Sequence, residues 1–173
     1  GTTYNVIVTG VGGTGIVTIG AIMGMAAHIE GKGIGIIDMA GLAQKGGAVY
    51  SHIRIANKPE EIHAIRVAAG GADLVMAGDI VVSGSKKVLG AFKPGTKVVV
   101  NSFEYMPGDF TRNADFSLPL ERIKRAITSA AGHEVRQFVN ATRIATELLG
   151  RSIGGNMVMI GYSYQIGALP LSA

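Results

Sequence analysis

The chain has no cysteine and no tryptophan among its 173 residues, and only 16% of them are charged. Without cysteine it cannot form a disulfide, a zinc–thiolate site or a cysteine-ligated iron–sulfur cluster, so an electron carrier of that kind sits elsewhere. The missing thiols also fit a reducing compartment, and the expected location is the cytoplasm. Low charge combined with 47% hydrophobic content excludes a disordered chain, which needs the reverse balance. The length suits one domain with a core of its own. The net charge of +4 is spread along the chain. It is dense only at Lys86–Lys87 and at Arg122, Lys124 and Arg125, so no basic stripe points to a nucleic acid.

Charged residues are absent altogether from Gly1 to Ile29, a length that could cross a bilayer. Glycines at 10, 12, 13, 15, 20 and 24, with Asn5, several threonines and no basic flank, argue against a membrane span and against a secretory leader. The better reading is a buried strand followed by a buried helix, the usual opening of an α/β domain whose sheet is covered on both faces. Gly1 and the Leu169–Ala173 end read as the limits of a piece excised from a larger chain.

The β-branched run Val6, Ile7, Val8 predicts a strand over 4–9, stopped by Gly10. Thr14 is placed to cap a helix running to about Glu30, with Ile16, Ile19, Met23 and Ala27 on one face. Gly20 and Gly24 read as points of close helix–sheet packing rather than a dimer motif. A second strand follows over 34–38, closing at Asp38. Residues 39–48 form a glycine-rich loop, after which Val49, Ile53 and Ile55 alternate with Tyr50, His52 and Arg54. That period of two predicts a strand with one buried face, reached through a loop short enough for antiparallel pairing. Strands over 74–77, 97–101 and 135–139 then alternate with helices over 81–92, 120–131, 142–149 and 156–166. Glu60–Glu61 after Pro59 reads as a helix start. The predicted fold is α/β, one three-layer α/β/α sandwich with a mostly parallel, partly mixed sheet.

Gly10-Val11-Gly12-Gly13-Thr14-Gly15 is a G-x-G-x-x-G between a predicted strand and helix. Gly10 allows the tight turn, Gly12 lets backbone approach a phosphate, Gly15 lets helix meet strand, and the free helical N–H groups favour an anion. Asp38 falls 23 residues after Gly15, near the place where an acidic side chain holds a ribose hydroxyl. A plainer alternative has the glycines serving only the turn and Asp38 only a neighbouring cap. Gln44-Lys45-Gly46-Gly47 is the second candidate, its adjacent glycines exposing backbone donors beside a lysine point charge. Ser83-Gly84-Ser85-Lys86 matches S-x-x-K without its partner motifs and reads as chance. Histidines 28, 52, 63 and 133 lack metal-ligand spacing, so no metal is implied. Asn140-Ala141-Thr142 matches a glycosylation sequon with no secretion signal to give it a route.

As a set, these residues resemble the gamma domain of 2-oxoacid:ferredoxin oxidoreductases, above all the fused indolepyruvate type. The likeness rests on the Gly10–Gly15 loop, Asp38 to Gly47 with Ser51-His52-Ile53-Arg54, Ala72-Asp73-Leu74, Asp79, Asn140-Ala141-Thr142, Ala145, Gly150, and Asn156 to Gly161. It departs at Thr14, where many such domains have Gln, and at Lys45, where many have Arg, whose planar fork a lysine does not reproduce. The resemblance implies an enzyme that oxidatively decarboxylates a 2-oxoacid, forms an acyl-CoA and reduces ferredoxin. Thiamine diphosphate, magnesium and iron–sulfur clusters would lie on other domains or subunits, and this domain would pack beside them and contact coenzyme A. Gly12, Gly13, Thr14 and Gly15 would then face a phosphate or a partner, with Lys45, Gly46 and Gly47 turned to the catalytic domains. Two other classes stay open: an NAD(P)-binding Rossmann-like domain, suggested by the glycine loop and Asp38, and an assembly module without a ligand. A crossover helix after Asp38 would favour the dinucleotide class, and the alternating strand speaks against it.

Overall fold

Val6, Ile7 and Val8 are all removed from solvent, as expected of a β-branched run covered on both faces. They lie in strand β1 (Tyr4–Val11), from which the architecture is built outward. The computed structural model describes residues 3–11, 15–40, 48–79, 86–102, 120–132 and 136–173. After β1 come α1 (Ile16–Ile29), β2 (Gly33–Ala40), β3 (Ala48–Ala56), β4 (Leu74–Ala77), α2 (Lys86–Leu89), β5 (Lys97–Asn101), α3 (Leu120–Ala131), β6 (Arg136–Val139), α4 (Ala141–Leu149) and α5 (Gly155–Gln165). Short 3₁₀ turns cover Pro59–Glu61, where a helix start was read, and Ser152–Gly154. Of the helix expected over 81–92, Lys86–Leu89 is helical and 80–85 lie outside the described residues.

The six strands stand in the order β2-β3-β1-β4-β5-β6. β1, β4, β5 and β6 pair in parallel, whereas β3 is antiparallel to both β1 and β2. The sheet is thus mostly parallel and partly mixed. One face carries α1, α4 and α5 over Val6, Val8, Ile53, Leu74, Met76 and Val99. The other carries α2 and α3 over Ile7, Val75, Val98 and Val100, completing the three layers. Among the described residues no helix is long and apolar enough to cross a membrane.

Two local expectations change. The alternation at 49–55 predicts one buried face, yet Ser51, His52 and Ile53 are buried in succession. The reason is position: β3 is an interior strand, with Ile53 under α1 and His52 under the irregular segment from 62 to 72, where its Nδ1 accepts the Val67 N–H at 2.9 Å. At the start of α1 the cap is Gly15 in place of Thr14, at φ 78° and with no side-chain cap bond. Gly20 and Gly24 do serve close packing: a Cβ on them would stand 3.4 Å and 3.2 Å from side-chain atoms of Ile36 in β2.

The segment after α5 returns across the start of β1. Tyr4 donates its hydroxyl to the Ala168 carbonyl at 2.5 Å, and Ser172 donates its N–H and hydroxyl to Glu30 Oε1 at 2.5 and 2.6 Å. Lys32 completes the carboxylate's shell at 2.7 Å. The hydrogen bond from Lys32, helped by those from Ser172, holds the Glu30 carboxyl down to about 2. Burial, with the nearby Asp73 charge, pushes the Tyr4 phenol up to about 12. The two anchors therefore fail at opposite ends of the pH scale. Glu30 has the lowered value, so its contribution is complete above the ordinary 4.5 and fades as pH falls toward 2. Tyr4 has the raised value, so its contribution is complete below 10 and fades as pH rises through about 12. The protection factor of the Ser172 amide should fall in the acid window, and Glu30→Gln should leave that factor low and independent of pH from pH 7 downward.

Candidate functional site

The strands that lead into both glycine-rich segments end at one edge of the sheet. Gly10 faces Val49 and Val11 faces Ala48 in the β1–β3 ladder, while Ala40 faces Val49 in the β2–β3 ladder. The exits of β1 and β2 and the entry of β3 therefore stand side by side. Gly10, Gly15 and Asp38 are described; Gly12, Gly13, Thr14, Lys45, Gly46 and Gly47 lie outside the described residues.

Strand order reverses at this edge, since the chain crosses from β1 through α1 to β2 on one side and later continues at β4 on the other. Such switch points form the crevice in which open α/β sheets bind ligands. Here β4 ends hard against β1: the Gly78 N–H donates to the Thr9 carbonyl at 2.7 Å. A Cβ on Gly78 would lie 2.9 Å from both that carbonyl oxygen and Ile16 Cδ1, so no side chain fits between strand and helix.

Among the described residues, the starts of α1, α4 and α5 come together at this edge. A Cβ on Gly15, which opens α1, would stand 3.0 Å from Asn156 Nδ2 in the first turn of α5. A Cβ on Gly155 would stand 3.5 Å from Thr142 backbone at the start of α4. The donors of α4 are partly used: Asn140 Oδ1 accepts the Arg143 N–H at 3.0 Å and Asn101 Oδ1 accepts the Ala141 N–H at 3.2 Å. Asn101 also donates Nδ2 to Thr142 Oγ1 at 2.8 Å, tying the end of β5 to that helix. The sequon asparagine is thus a helix cap. In contrast α1 and α5 start on glycine caps with no side-chain bond. A helix start carries roughly half a positive charge, and although the Gly155 N–H of α5 is already donated to the Ser152 carbonyl, the dipoles of two such starts at one edge favour an anion there.

Asp38 sits differently from its expected setting. It is exposed on β2, where its carboxylate accepts the Ser51 hydroxyl of β3. Because β3 stands between β1 and β2, Asp38 is two strand spacings from β1, roughly 9–10 Å instead of one spacing near 5 Å. The ribose contact of a dinucleotide fold depends on the adjacent strand.

A cavity of about 450 Å³ opens at the opposite, amino edge between Tyr4, Asn5, Lys32, Asp73, Lys93 and Pro170. Its cations are engaged, Lys93 with Asp73 at 2.8 Å and Lys32 with Glu30 at 2.7 Å. Asp73 also accepts the Asn5 N–H at 2.8 Å, which fastens β1 to the start of β4. The residues that sequence reading passed over, Gly78 and Asn101, belong to the carboxyl edge. Each directly follows or ends a run of apolar strand residues, a signal that marks the strand's end without showing what the end touches.

The family model described as pyruvate ferredoxin/flavodoxin oxidoreductase matches residues 5–173. The chain belongs to that family. It is 32% identical to the indolepyruvate oxidoreductase subunit IorB of Methanothermobacter thermautotrophicus over 98% of this chain and 82% of the relative. Among solved structures it resembles the keto/oxoacid ferredoxin oxidoreductase gamma subunit of Geobacter sulfurreducens, with a TM-score of 0.63, 21% identity, and 98% and 79% of the two chains covered. It also resembles the 2-oxoglutarate:ferredoxin oxidoreductase of Magnetococcus marinus, whose structure holds 2-oxoglutarate, coenzyme A and succinyl-CoA. That match has a TM-score of 0.70 at 19% identity and covers 99% of this chain but 25% of the larger one. These two likenesses bear on the fold alone.

Gly78→Ala should lower the urea midpoint at unchanged slope, by about 1–3 kcal/mol of overpacking. Asn101→Ala leaves the buried Ala141 N–H unpaired and should cost a similar ~1–3 kcal/mol in the same measurement.

Proposed function

We propose that the chain is the gamma component of a thiamine diphosphate-dependent oxidoreductase that converts an arylpyruvate such as indolepyruvate to an acyl-CoA. Its own part is to hold the phosphate end of coenzyme A at the carboxyl edge of β1. The observation that carries this reading is the meeting of Gly15 and Asn156 where two helices start without side-chain caps. Family membership supports it, as do the name of the M. thermautotrophicus relative and the coenzyme A held by the M. marinus enzyme. Decarboxylation of the 2-oxoacid and transfer of its acyl group to the thiol of coenzyme A release carbon dioxide, the thiol proton and two electrons, and the electrons pass to ferredoxin. A chain without cysteine cannot ligate a cluster through thiolate, so the electron path runs through partner subunits. We assign thiamine diphosphate and magnesium to those partners as well, and the whole assembly to the cytoplasm.

Within that assembly the residues of this chain bind and orient. Gly12, Gly13 and Gly15 bring backbone N–H groups to phosphate oxygens without an intervening side chain, and Thr14 adds a hydroxyl. The second loop, entering from β2 beside the first, supplies the Lys45 ammonium as a point charge and backbone donors at Gly46 and Gly47. The phosphates stay at the rim while the thiol reaches the partner's reaction centre.

In the parent enzyme, Gly12→Val should raise the KM for coenzyme A at least tenfold, about 1.4 kcal/mol, while the melting temperature of the complex stays within about 2 °C. A loss confined to unfolding or subunit dissociation would make the loop a packing or assembly element. Micromolar NADH binding to the chain, about −8 kcal/mol, would replace coenzyme A with a dinucleotide.

A further inference from the structure

The amino-edge cavity lies at the far ends of the strands from the glycine-rich segments. Its walls come from separate parts of the chain: the start of β1, Lys32 between α1 and β2, the end of β3 with Asn57, Asp73 ahead of β4, Lys93 after α2, and Pro170 of the tail. A volume of about 450 Å³ is that of a small-molecule pocket, for which roughly 300–1,000 Å³ is usual. An ammonium group has three N–H donors and no acceptor. Lys93 gives one donor to Asp73 Oδ1 at 2.8 Å. Lys32 gives one to Glu30 Oε2 at 2.7 Å and one to the Pro170 carbonyl. Two donors on Lys93 and one on Lys32 are left over. The carboxylates beside them are already filled. Asp73 accepts Lys93 at one oxygen and the Asn5 N–H at the other, and Glu30 accepts Lys32 and both donors of Ser172. A third cation at this edge, Lys97, donates to the Gly167 carbonyl at 3.0 Å and meets no carboxylate among the described residues. The surplus here is thus of charged donors, not of acceptors.

We propose that this cavity is a second binding site, separate from the carboxyl edge, for a small organic carboxylate with an apolar body. The spare donors select the charge. A carboxylate can accept N–H groups from Lys93 and Lys32 while both existing ion pairs stay intact, and such charge-assisted bonds are the stronger kind. A cation could reach Asp73 or Glu30 only by displacing a lysine. The remaining lining selects the body. Ile55 and Ala56 are buried, and the Tyr4 hydroxyl is turned to the Ala168 carbonyl, so Tyr4 gives the cavity its ring and not its polar tip. A bare inorganic anion would leave those apolar groups without contacts, whereas a ring carrying a carboxylate, about ten non-hydrogen atoms in all, meets both parts of the lining. Lys32 and Pro170 also fasten the tail, so an occupant held between them and Lys93 adds to the tail's anchorage in the folded state. The site takes such an acid whatever the carboxyl edge holds.

Titration of the ¹⁵N-labelled chain with phenylacetate, followed through its amide chemical shifts, should move Asn5, Lys32, Asn57 and Lys93 together, with a Kd of about 1 mM or below. Acetate, which lacks the ring, and benzyl alcohol, which lacks the charge, should each bind at least tenfold more weakly. Asn57 is exposed and belongs to neither ion pair. Asn57→Glu should therefore weaken phenylacetate at least fivefold and Asn57→Lys should strengthen it, both at an unchanged melting temperature. Lys93→Met, which keeps an unbranched apolar side chain and removes the charge, should weaken it at least tenfold. Protection of the Ser172 amide should rise as phenylacetate is added. Shifts that are absent up to ~20 mM phenylacetate or that fall mainly outside the cavity overturn the proposal. So does an affinity matched by acetate or benzyl alcohol, or one indifferent to the sign of the charge at position 57.

Discussion

Strand β1 is bonded along both edges, antiparallel to β3 from Tyr4 to Val11 and parallel to β4 from Val6 to Thr9. Everything at the carboxyl edge follows from that double pairing. Because β3 enters beside the exit of β1 and beside the exit of β2, those three strand ends lie at one end of the sheet. Because β4 then lies on the far side, the switch point of the strand order falls at the end of β1. The buried Val6, Ile7 and Val8 make the arrangement rigid, each contributing on the order of 1.5–3 kcal/mol of burial.

The closeness of the elements at this edge is achieved by removing side chains. Gly78 lets β4 end against the Thr9 carbonyl and Ile16, Gly15 lets α1 begin against Asn156, and Gly155 lets α5 begin against Thr142. Where a side chain is present it is a short amide that makes two bonds, as Asn101 does with Ala141 and Thr142. The consequence is an edge poor in bulk, where strand ends and helix starts approach one another main chain to main chain. The amino edge has the opposite character. There Asp73, Lys93, Glu30 and Lys32 neutralise one another and hold strands and tail together.

Much of this was legible in the residues. The strand with period two after Asp38 is present, and it separates this fold from a plain dinucleotide-binding one, as its antiparallel place in the sheet bears out. The close packing read into Gly20 and Gly24 occurs against Ile36. The cap at Gly15 was not legible, because a capping hydroxyl at Thr14 and a left-handed glycine beside it are equally good local solutions. Nor was the full burial of β3. An alternating strand shows which side chains prefer the core, but Ser51 and His52 are buried through what covers them, including the Val67 N–H that bonds His52.

By itself the sequence determined the kind and order of most elements, the absence of thiolate chemistry, the resemblance to a gamma domain, and two helices without charge. All of these are local, for periodicity and composition are expressed within a few residues of each other. Only the tertiary structure decided that β3 stands between β1 and β2, displacing Asp38 from β1, and that the starts of α1 and α5 meet. Those facts rest on contacts between residues far apart in the chain, such as Gly15 with Asn156. Nothing in the neighbourhood of either residue encodes the distance to the other.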